Sequence, residues 1–399
     1  MSATYDLITV GGGLGGAALA KAMAERGAHV LVVERERRFG DRVRGEVMAP
    51  WGVGEARALG LETLLLATCG HELRWADLAL GGMPVAHRDL PATTPQAAAW
   101  LSFFHPAMQE TVLDAAAGAG AEVRRGARVR GIEPGATPAV LVESDGRTTT
   151  ERARLVVAAD GRTSLARKWG GFPVSRDPQR LLFSGVLFDG HEAPDDTGHA
   201  FFNPGIGRMS LFFPQGSGRV RAYVGYHKDA APPAAAGRDV RCFIEESVRA
   251  GVDPSWYARA TDVGPLALFE GADVWVEHPY RDGVALVGDA AATSDPTWGQ
   301  GMSLTLRDVR VLRDALVADD NWTRGAHAYA DAHDRHYGVV HRVDGWYADF
   351  FMEIGPDADA RRAQALPFIA ADETRLPDVI FSGPDQPADD EVRRRFFGE

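Results

Sequence analysis

The sequence predicts an α/β protein in which a mostly parallel sheet with covering helices is interrupted by an antiparallel sheet and followed by C-terminal helices. An apolar run at Tyr5–Val10 leads through a glycine-rich turn into an alanine-rich segment, the strand–turn–helix order of Rossmann-like folds. Residues 181–227 have alternating or aromatic runs separated by Gly, Pro and Asp turns, which is typical of antiparallel strands. Residues 324–351 form a long helical stretch near the end of the chain.

Composition excludes several classes of partner. The 399 residues are 45% hydrophobic and 25% charged, as in an ordinary globular protein, and the net charge is 43 − 55 = −12. This charge argues against nucleic acid or an anionic membrane as a partner. Two cysteines, Cys69 and Cys242, favour neither a disulfide framework nor a metal site. Without a run of about 18 apolar residues or a cleavable leader, we expect a cytoplasmic protein with no integral membrane segment.

The first glycine turn predicts a dinucleotide site. The first strand is followed by Gly11–Gly16, then by helix Ala17–Arg26 and by strand His29–Val33, which ends at Glu34. Gly11 permits a tight turn, Gly13 lets backbone approach a pyrophosphate, and Gly16 lets helix and strand pack closely. Glu34 lies 34 − 16 = 18 residues past the last glycine, where a carboxylate accepts ribose hydroxyls. A plain glycine turn is the alternative.

Several features follow this unit in order. Arg42 and Arg44 face either phosphates or solvent, and the residues alone favour neither. The spacing next predicts strands of a second layer, then a helix that starts at His105 with Gln109 on its first turns, then two more strands. These strands are Leu78–Ala86, Ala97–Phe104, Glu122–Arg125 and Arg128–Ile132.

Two more acidic residues follow strands. Leu155–Ala159 ends at Asp160-Gly161, which alone is best interpreted as an Asp-Gly turn. Val284–Val287 ends at Gly288-Asp289, and a loop with Pro296, Gly299 and Gly301 leads into a helix over 302–316. Free N–H groups at such a helix start suit electron-rich oxygens. The carboxyl ends of strands are also where open α/β sheets hold ligands.

The remaining elements complete the prediction. The antiparallel strands are Leu181–Phe188, His199–Phe202, Met209–Phe213 and Val220–His227. Helices are expected at 239–249 and 358–371, and 273–277 leads back to the first sheet. The polar tail Ser382–Glu399 is expected to cap the surface.

The glycine turn with Glu34, the Asp160-Gly161 segment and the Gly288-Asp289 segment occur in the order and spacing of one family. The chain resembles, over residues 5–350, the single-component (group A) FAD-dependent monooxygenases of the para-hydroxybenzoate hydroxylase-like type. The resemblance implies a GR2-type FAD-binding domain formed by residues 1–75, 101–178 and 278–320. It implies a substrate domain formed by 76–100 and 179–277, and a C-terminal helical region over 321–399.

The resemblance also implies which residues hold FAD. The pyrophosphate turn corresponds to Gly11, Gly13, Leu14 and Gly16, the ribose ligand to Glu34 and an adenine neighbour to Arg35. The two phosphate-facing arginines are Arg42 and Arg44, the glutamine near the ribityl chain is Gln109, and the adenine backbone contact is Val129. The two acids are Asp160 and Asp289, and the backbone at the flavin pyrimidine edge is that of Gly299, Gln300, Gly301 and Met302.

In that family NADH or NADPH reduces the flavin, O2 adds to it, and a C4a-hydroperoxyflavin transfers oxygen to the substrate. The resemblance therefore implies hydroxylation or epoxidation. The aromatic inserted sheet favours a largely apolar aromatic or isoprenoid substrate. Candidate pocket residues are Pro296, Trp298, Phe201, Phe213 and Tyr223, with core packing as the alternative for Trp298. No catalytic side chain is identified beyond these.

Two departures weaken assignment to the phenol-hydroxylating subgroup. Many hydroxylases have histidine where this chain has Ala292, and arginine where it has His105. A flavin-dependent reductase of prenyl-type double bonds, as in geranylgeranyl reductases, uses the same scaffold and is the alternative. A halogenase is less favoured because the chain has no WxWxIP motif, and a non-redox binding protein because the acids are retained. His327, His333, His336 and His341 match no metal motif, so no metal is expected.

Overall fold

The computed structural model describes residues 4–399. The strands are β1 (Thr4–Val10), β2 (Val30–Glu34), β3 (Val47–Met48), β4 (Gly70–Leu73), β5 (Trp75–Leu80), β6 (Met83–Asp89), β7 (Trp100–Phe103), β8 (Glu122–Arg125), β9 (Arg128–Glu133), β10 (Ala139–Ser144), β11 (Arg147–Ala158), β12 (Ser175–Arg176), β13 (Leu181–Asp189), β14 (Thr197–Asn203), β15 (Arg208–Pro214), β16 (Val220–His227), β17 (Thr261–Asp262), β18 (Ala267–Glu270), β19 (Val274–Trp275), β20 (Tyr280–Arg281), β21 (Val284–Leu286) and β22 (Ala292–Thr293). The helices are α1 (Leu14–Ala24), α2 (Pro50–Ala58), α3 (Glu62–Thr68), α4 (Leu90–Thr93), α5 (His105–Gly118), α6 (Ala166–Trp169), α7 (Val240–Ala250), α8 (Gly301–Ala318), α9 (Trp322–Tyr347), α10 (Pro356–Ala371), α11 (Val379–Ser382) and α12 (Asp390–Phe397).

The first sheet is the predicted parallel one. Its order is β20-β21-β11-β1-β2-β8, and the pairs from β21 through to β8 are all parallel. Every residue of β2 is buried, as expected for a strand covered on both faces. Helices α1, α5 and α8 pack together on this sheet. The carboxyl ends of β1, β2, β11 and β21 therefore meet at one edge, the position at which such sheets bind ligands.

The second sheet is the predicted inserted one. Its order is β17-β13-β16-β15-β14-β5-β6, with β18 also paired to β13, and its one parallel contact joins β14 to β5. The prediction of a single strand over 78–86 was wrong. Gly81 and Gly82 both have positive φ and turn the chain into the β5–β6 hairpin, because glycine adopts this conformation without a steric penalty.

Two small sheets lie between the large ones. The first has the order β3-β7-β4, so the strand expected at 97–104 pairs neither with the parallel sheet nor with the inserted one. The second has the order β12-β19-β22 and joins residues next to Asp177, Asp273 and Asp289. These short pairings hold the connections between the two large sheets in place.

The C-terminal region packs on the inserted sheet. Helix α9 runs for 26 residues and ends in a single π-turn at Ala348–Met352. The expectation that the tail only caps the surface was wrong, because α12 buries Phe396 and Phe397 in the same apolar cluster as Trp298 and Tyr347. Five of the eight residues of α12 are charged, which hides its two buried phenylalanines in the overall composition of the tail. No helix within residues 4–399 has the length and apolarity that a bilayer crossing requires.

Candidate FAD site

One cavity of about 740 Å³ extends from the first glycine turn to the inserted sheet. Most of the predicted cofactor residues line it, although they come from distant parts of the chain. Those lining it are Gly11, Gly13, Leu14, Glu34, Arg35, Arg42, Arg44, Gln109, Val129, Asp160, Asp289, Gly299, Gln300, Gly301 and Met302. Of the predicted pocket residues, Pro296, Phe213 and Tyr223 also line it.

The glycine turn closes tightly on the end of β11. Gly11 has φ +100°, and a Cβ there would lie 2.5 Å from the Ala159 carbonyl oxygen. A Cβ on Gly16 would lie 1.9 Å from the Gly11 oxygen, so Gly16 serves the packing of α1 on β1 and does not face the cavity. Gly13 begins α1 with an extended backbone, and a Cβ there would meet only the Gln109 side chain, at 3.3 Å. Bare N–H groups at this helix start suit an anion.

Glu34 is held at the end of β2 by backbone donors. Its Oε2 accepts a hydrogen bond from the Gly12 N–H at 2.7 Å, and its Oε1 accepts one from the Glu36 N–H, also at 2.7 Å. Because each carboxylate oxygen has a further lone pair, both can still accept ligand hydroxyls. Arg35 lies beside it, about half exposed and 3.3 Å from Glu36, while Val129 lines the same end of the cavity.

Loop 41–46 carries the two predicted arginines along the cavity wall. Arg42 pairs with Glu36, whereas Arg44 faces the cavity and has no ion-pair partner among the described residues. The Tyr223 hydroxyl donates to the Arg44 carbonyl oxygen, which ties the loop to β16 of the inserted sheet. The Arg44 backbone is therefore held in place, and its side chain carries a positive charge without an ion-pair partner among the described residues.

A buried ion pair anchors the same loop. Arg221 on β16 donates from Nε to Glu46 at 2.9 Å and from Nη2 to Asp41 at 2.7 Å. Arg221 and Glu46 are both fully buried. Burial raises the pKa of Glu46, while the Arg221 charge opposes that rise. Sequence reasoning missed this pair, since 175 residues separate its members and neither stands in a motif.

His105 replaces the arginine found in many hydroxylases. Its Nδ1 donates to the Gly45 carbonyl oxygen at 2.9 Å, which assigns the proton of the neutral ring to Nδ1. Burial lowers the pKa of His105 to about 4, and the nearby Arg44 and Arg221 charges act in the same direction. The ring is thus neutral at physiological pH, so it adds no positive charge to this part of the cavity.

An arginine that sequence reasoning did not single out, Arg167, reaches from the segment after Asp160 to the backbone at Asp289. Asp160 Oδ2 accepts the N–H groups of Leu165 and Ala166 at 2.9 and 3.2 Å, and its Oδ1 is buried without a partner among the described residues. Arg167 is 7% exposed and donates from Nε to the Ala290 carbonyl oxygen at 2.8 Å. It also donates to the Asp289 carbonyl oxygen. The only feature of the sequence that could have pointed to Arg167 is its position seven residues after Asp160.

Asp289 is half-buried and lines the cavity. Burial raises its pKa, and the positive charges of Arg44, Arg162 and Arg167 act against this rise. The Gly288 N–H donates to Asp308 on α8 at 2.8 Å, which holds the turn against the helix. Beyond it, Gly299 has φ +67°, and α8 begins at Gly301. The N–H groups of the first helical turn have no partners within the helix and carry its positive dipole end.

Gln300 and Trp298 point away from the cavity. The fully buried Gln300 side chain accepts from Trp51 Nε1 at 2.9 Å, so only its backbone serves the site. The Trp298 ring packs 5.2 Å from Tyr347 and 5.6 Å from Phe202, and it is not among the lining residues. The alternative of core packing therefore describes Trp298.

Aromatic side chains line the end of the cavity at the inserted sheet. They alternate along the strands, so neighbouring residues face opposite sides. Phe213 and Tyr223 face the cavity, whereas the predicted Phe201 lies on the other face, 6.2 Å from Phe212 and 5.9 Å from Trp256. The cavity lining includes the apolar or aromatic residues Phe183, Leu211, Phe213, Tyr223, Ala267, Leu268, Phe269 and Pro296 and the polar residues Arg162, Glu270, Thr293 and Ser294.

Comparison with known proteins identifies the scaffold. The sequence model of an FAD-binding domain family matches residues 4–336. The chain is 30% identical over 330 residues to 6-methylpretetramide 4-monooxygenase of Streptomyces rimosus, covering 76% of this chain and 73% of that protein. It is 26% identical over 337 residues to digeranylgeranylglycerophospholipid reductase 1 of Methanococcoides burtonii, covering 80% and 77%.

Solved structures agree on the fold. The structure of p-nitrophenol 4-monooxygenase from Pseudomonas putida DLL-E4 superimposes with a TM-score of 0.81 at 19% identity, covering 95% of this chain and 97% of that one. The sequence matches above extend over most of the chain and include all three predicted cofactor segments. The chain therefore belongs to the FAD-binding domain family and is a flavoprotein monooxygenase.

Proposed function

We propose that this enzyme uses O2 and NADH or NADPH to hydroxylate or epoxidise a largely apolar aromatic or isoprenoid molecule. The observation that carries the proposal is the continuity of the cavity. One end is a glycine turn with a fixed carboxylate, and the other is an aromatic pocket on a different sheet. A ligand that spans a nucleotide half-site and a substrate pocket suits FAD, whose adenine and flavin lie at opposite ends of the molecule.

The described residues fit FAD. The bare turn at Gly11–Leu14 would hold the pyrophosphate, Glu34 the ribose, and Val129 the adenine through its backbone. Arg44 would neutralise phosphate charge, and Arg42 would act beside it. Gln109, whose amide lies next to Gly13, and Asp289 would bind the ribityl hydroxyls. The unpartnered Oδ1 of Asp160 is a buried acceptor that a bound nucleotide or an ordered water would satisfy.

FAD supplies the redox and oxygen chemistry when bound, and the protein supplies position and environment. Gly301 and Met302 line the cavity at the start of α8, where backbone N–H groups have no partners within the helix. They would stabilise negative charge on a ring edge placed there. Phe213, Phe269 and Pro296 make the part of the cavity at the inserted sheet apolar, which would exclude water from the reacting atoms.

The lining of the pocket supports an apolar substrate. Its side chains are mainly aromatic and aliphatic, and its polar groups include Arg162, Glu270, Thr293 and Ser294. Pockets of this type bury ring or isoprenoid surface and use a few polar groups for orientation. By their names, the relatives reported above act on 6-methylpretetramide and on a digeranylgeranylglycerophospholipid. Two free cysteines and a need for NAD(P)H support a cytoplasmic site of action.

Substrate-stimulated consumption of NAD(P)H tests this function. Purified protein with FAD should absorb near 450 nm. In air, a panel of aromatic and prenylated compounds should contain some that accelerate NAD(P)H oxidation, with one atom from labelled O2 in the product. Product that forms at an undiminished rate without O2, or that lacks the label, contradicts the proposal.

A reductase of prenyl-type double bonds is the second candidate, because the chain is also 26% identical to a digeranylgeranylglycerophospholipid reductase. The same cavity would bind FAD and an isoprenoid chain in that case. The anaerobic arm of the experiment separates the two functions. Reduction of a prenylated compound by NAD(P)H or dithionite without O2 supports the reductase.

A further inference from the structure

We propose that Asp177, Asp273 and His341 form a binding site for one divalent cation of the Mn²⁺ or Zn²⁺ type, outside the FAD cavity. The three residues come from three separate parts of the chain. Asp177 follows β12, Asp273 precedes β19, and His341 lies on α9. None of them lines the FAD cavity.

The distances match a three-ligand site. His341 Nε2 lies 2.7 Å from Asp177 Oδ2 and 3.8 Å from Asp273 Oδ2, and all three donor atoms lie within 4.8 Å of one another. Bonds of about 2.0–2.2 Å to a central ion place ligand atoms roughly 3–3.5 Å apart. Sub-ångström side-chain shifts therefore suffice to surround an ion.

The ligands are held in place before any ion binds. The Asp177 N–H donates to the Asp273 carbonyl oxygen at 3.0 Å, next to the antiparallel pair of β12 and β19. The His341 ring packs 4.9 Å from the Trp275 ring and 5.4 Å from the Tyr337 ring, and it stacks on the latter. A pre-positioned ligand set loses little conformational entropy on binding.

A second observation points to a missing partner. Asp273 is 5% exposed, and its Oδ1 has no hydrogen-bond donor among the described residues. Asp344 lies one helical turn after His341, is 3% exposed, and has neither oxygen satisfied within residues 4–399. Buried carboxylates are normally paired, hydrogen-bonded or bound to a metal.

The nearby cations do not supply that partner. Arg162 donates to the Ala272 carbonyl oxygen at 2.7 Å, and Arg180 pairs with Asp349 at 3.0 Å. His341 itself already contacts Asp177. The group therefore combines several buried or half-buried acids with one imidazole, an arrangement that a cation would balance.

The donor set selects the ion class. Two carboxylate oxygens and one imidazole nitrogen suit borderline divalent transition ions, with water in the remaining positions. Asp177 and His341 are 42% and 31% exposed at their side chains, so an ion reaches the site from solvent. Because the ligands do not face the FAD cavity, the role is structural: the ion would join α9 to the β12-β19-β22 sheet.

Mn²⁺ titration of the FAD-loaded enzyme tests the site. After EDTA treatment and dialysis, loss of the EPR signal of free Mn²⁺ should show one bound ion per chain, displaced by Zn²⁺. D273N, H341Q and D177N should each weaken binding by roughly 10-fold or more. Mn²⁺ should raise the melting temperature of the wild-type enzyme and leave that of D273N unchanged. FAD absorbance and circular dichroism show which variants are folded.

His278→Gln is the matched control, because this half-exposed histidine also contacts a carboxylate, with 3.2 Å between its Nδ1 and Asp331. Its Mn²⁺ affinity should equal that of the wild type. Absence of binding up to about 1 mM Mn²⁺ overturns the proposal. So does a folded D273N that binds Mn²⁺ as tightly as the wild type. Neither result bears on the proposed oxygenase activity, which depends on other residues.

Discussion

Asp289 shows how a single side chain is prepared for a ligand. It ends the strand that starts at Val284, and burial raises its pKa while three arginines oppose that rise. A carboxylate in such a position is costly unless donors reach it. The ribityl hydroxyls of FAD are donors of the required kind, and this explains why an acid is present at this point.

Asp289→Ala should weaken FAD binding by roughly 10- to 100-fold, because a hydrogen bond to a charged group contributes about 1.5–3 kcal/mol. The measurement is FAD titration of the apoprotein by flavin fluorescence. Asp114→Ala, on the exposed side of α5, is the control and should bind FAD normally. An unchanged FAD affinity in the Asp289 variant would refute the role given to this residue.

Within one glycine turn, Gly13 is expected to serve FAD binding and Gly16 to serve folding. Gly16→Ala places a Cβ 1.9 Å from the Gly11 oxygen and should destabilise the fold by about 1–3 kcal/mol or more. Gly13→Ala meets only a side-chain amide at 3.3 Å, so it should fold normally and yet bind FAD more weakly. Thermal melts of the apoproteins and FAD titrations distinguish the two effects. A Gly16 variant as stable as the wild type would contradict this assignment.

At the scale of elements, loop 41–46 and strand β16 form one unit. The Arg221–Glu46 pair, the Arg221–Asp41 pair and the Tyr223–Arg44 hydrogen bond all join them. The strand that lines the substrate end therefore also holds the arginine that faces the cofactor. A change in one element must alter the other.

Arg221→Met should destabilise the enzyme by about 3–5 kcal/mol, since it leaves Glu46 buried without its charge partner. Adding Glu46→Leu removes the unpaired charge, so the double variant should regain part of the lost stability. Urea unfolding of the wild type, both single variants and the double variant gives the coupling energy. Equal unfolding midpoints for wild type and Arg221→Met would show that the pair is not needed.

At the scale of the whole molecule, buried and half-buried histidines contribute to the response to acid. Burial lowers the pKa values of His105, His191, His199 and His336 to about 4. In the unfolded chain these rings take up protons near pH 6.5, whereas in the folded chain they remain neutral until about pH 4. At these four sites the unfolded state thus binds more protons in this window, so their contribution to stability falls as pH decreases from about 6.5 to 4. Burial raises the pKa values of Asp289, Asp295 and Asp344, and these acids contribute in the opposite direction.

The histidine contribution should therefore lower the melting temperature between about pH 6.5 and 4. His191→Phe should flatten this slope, because His191 is packed among aromatic rings and its replacement removes one protonation difference. His29→Gln, at an exposed position, should leave the slope unchanged. Melting curves across this pH range decide the matter, and equal slopes for wild type and His191→Phe would contradict the prediction.

Local sequence was sufficient to predict the parallel sheet and the sheet edge at which the ligand-facing residues meet. β1, α1, β2 and α8 lie close to their predicted bounds, since hydrophobic period and glycine placement act over a few residues. Glu34, Asp160 and Asp289 meet in one cavity because the carboxyl ends of parallel strands share an edge. The family and its fold followed from these segments.

Tertiary structure alone decided which side chains meet across the sheets. Whether Phe201 or Phe213 faces the cavity depends on register, and a shift of one residue exchanges the two faces of a strand. Trp298 packs in the core against Tyr347 and Phe202. The Arg221–Glu46 pair and the Asp177–Asp273–His341 group join residues separated by roughly 70 to 175 positions. Their partners depend on how the sheets and α9 pack, and local backbone preferences carry no information about that packing.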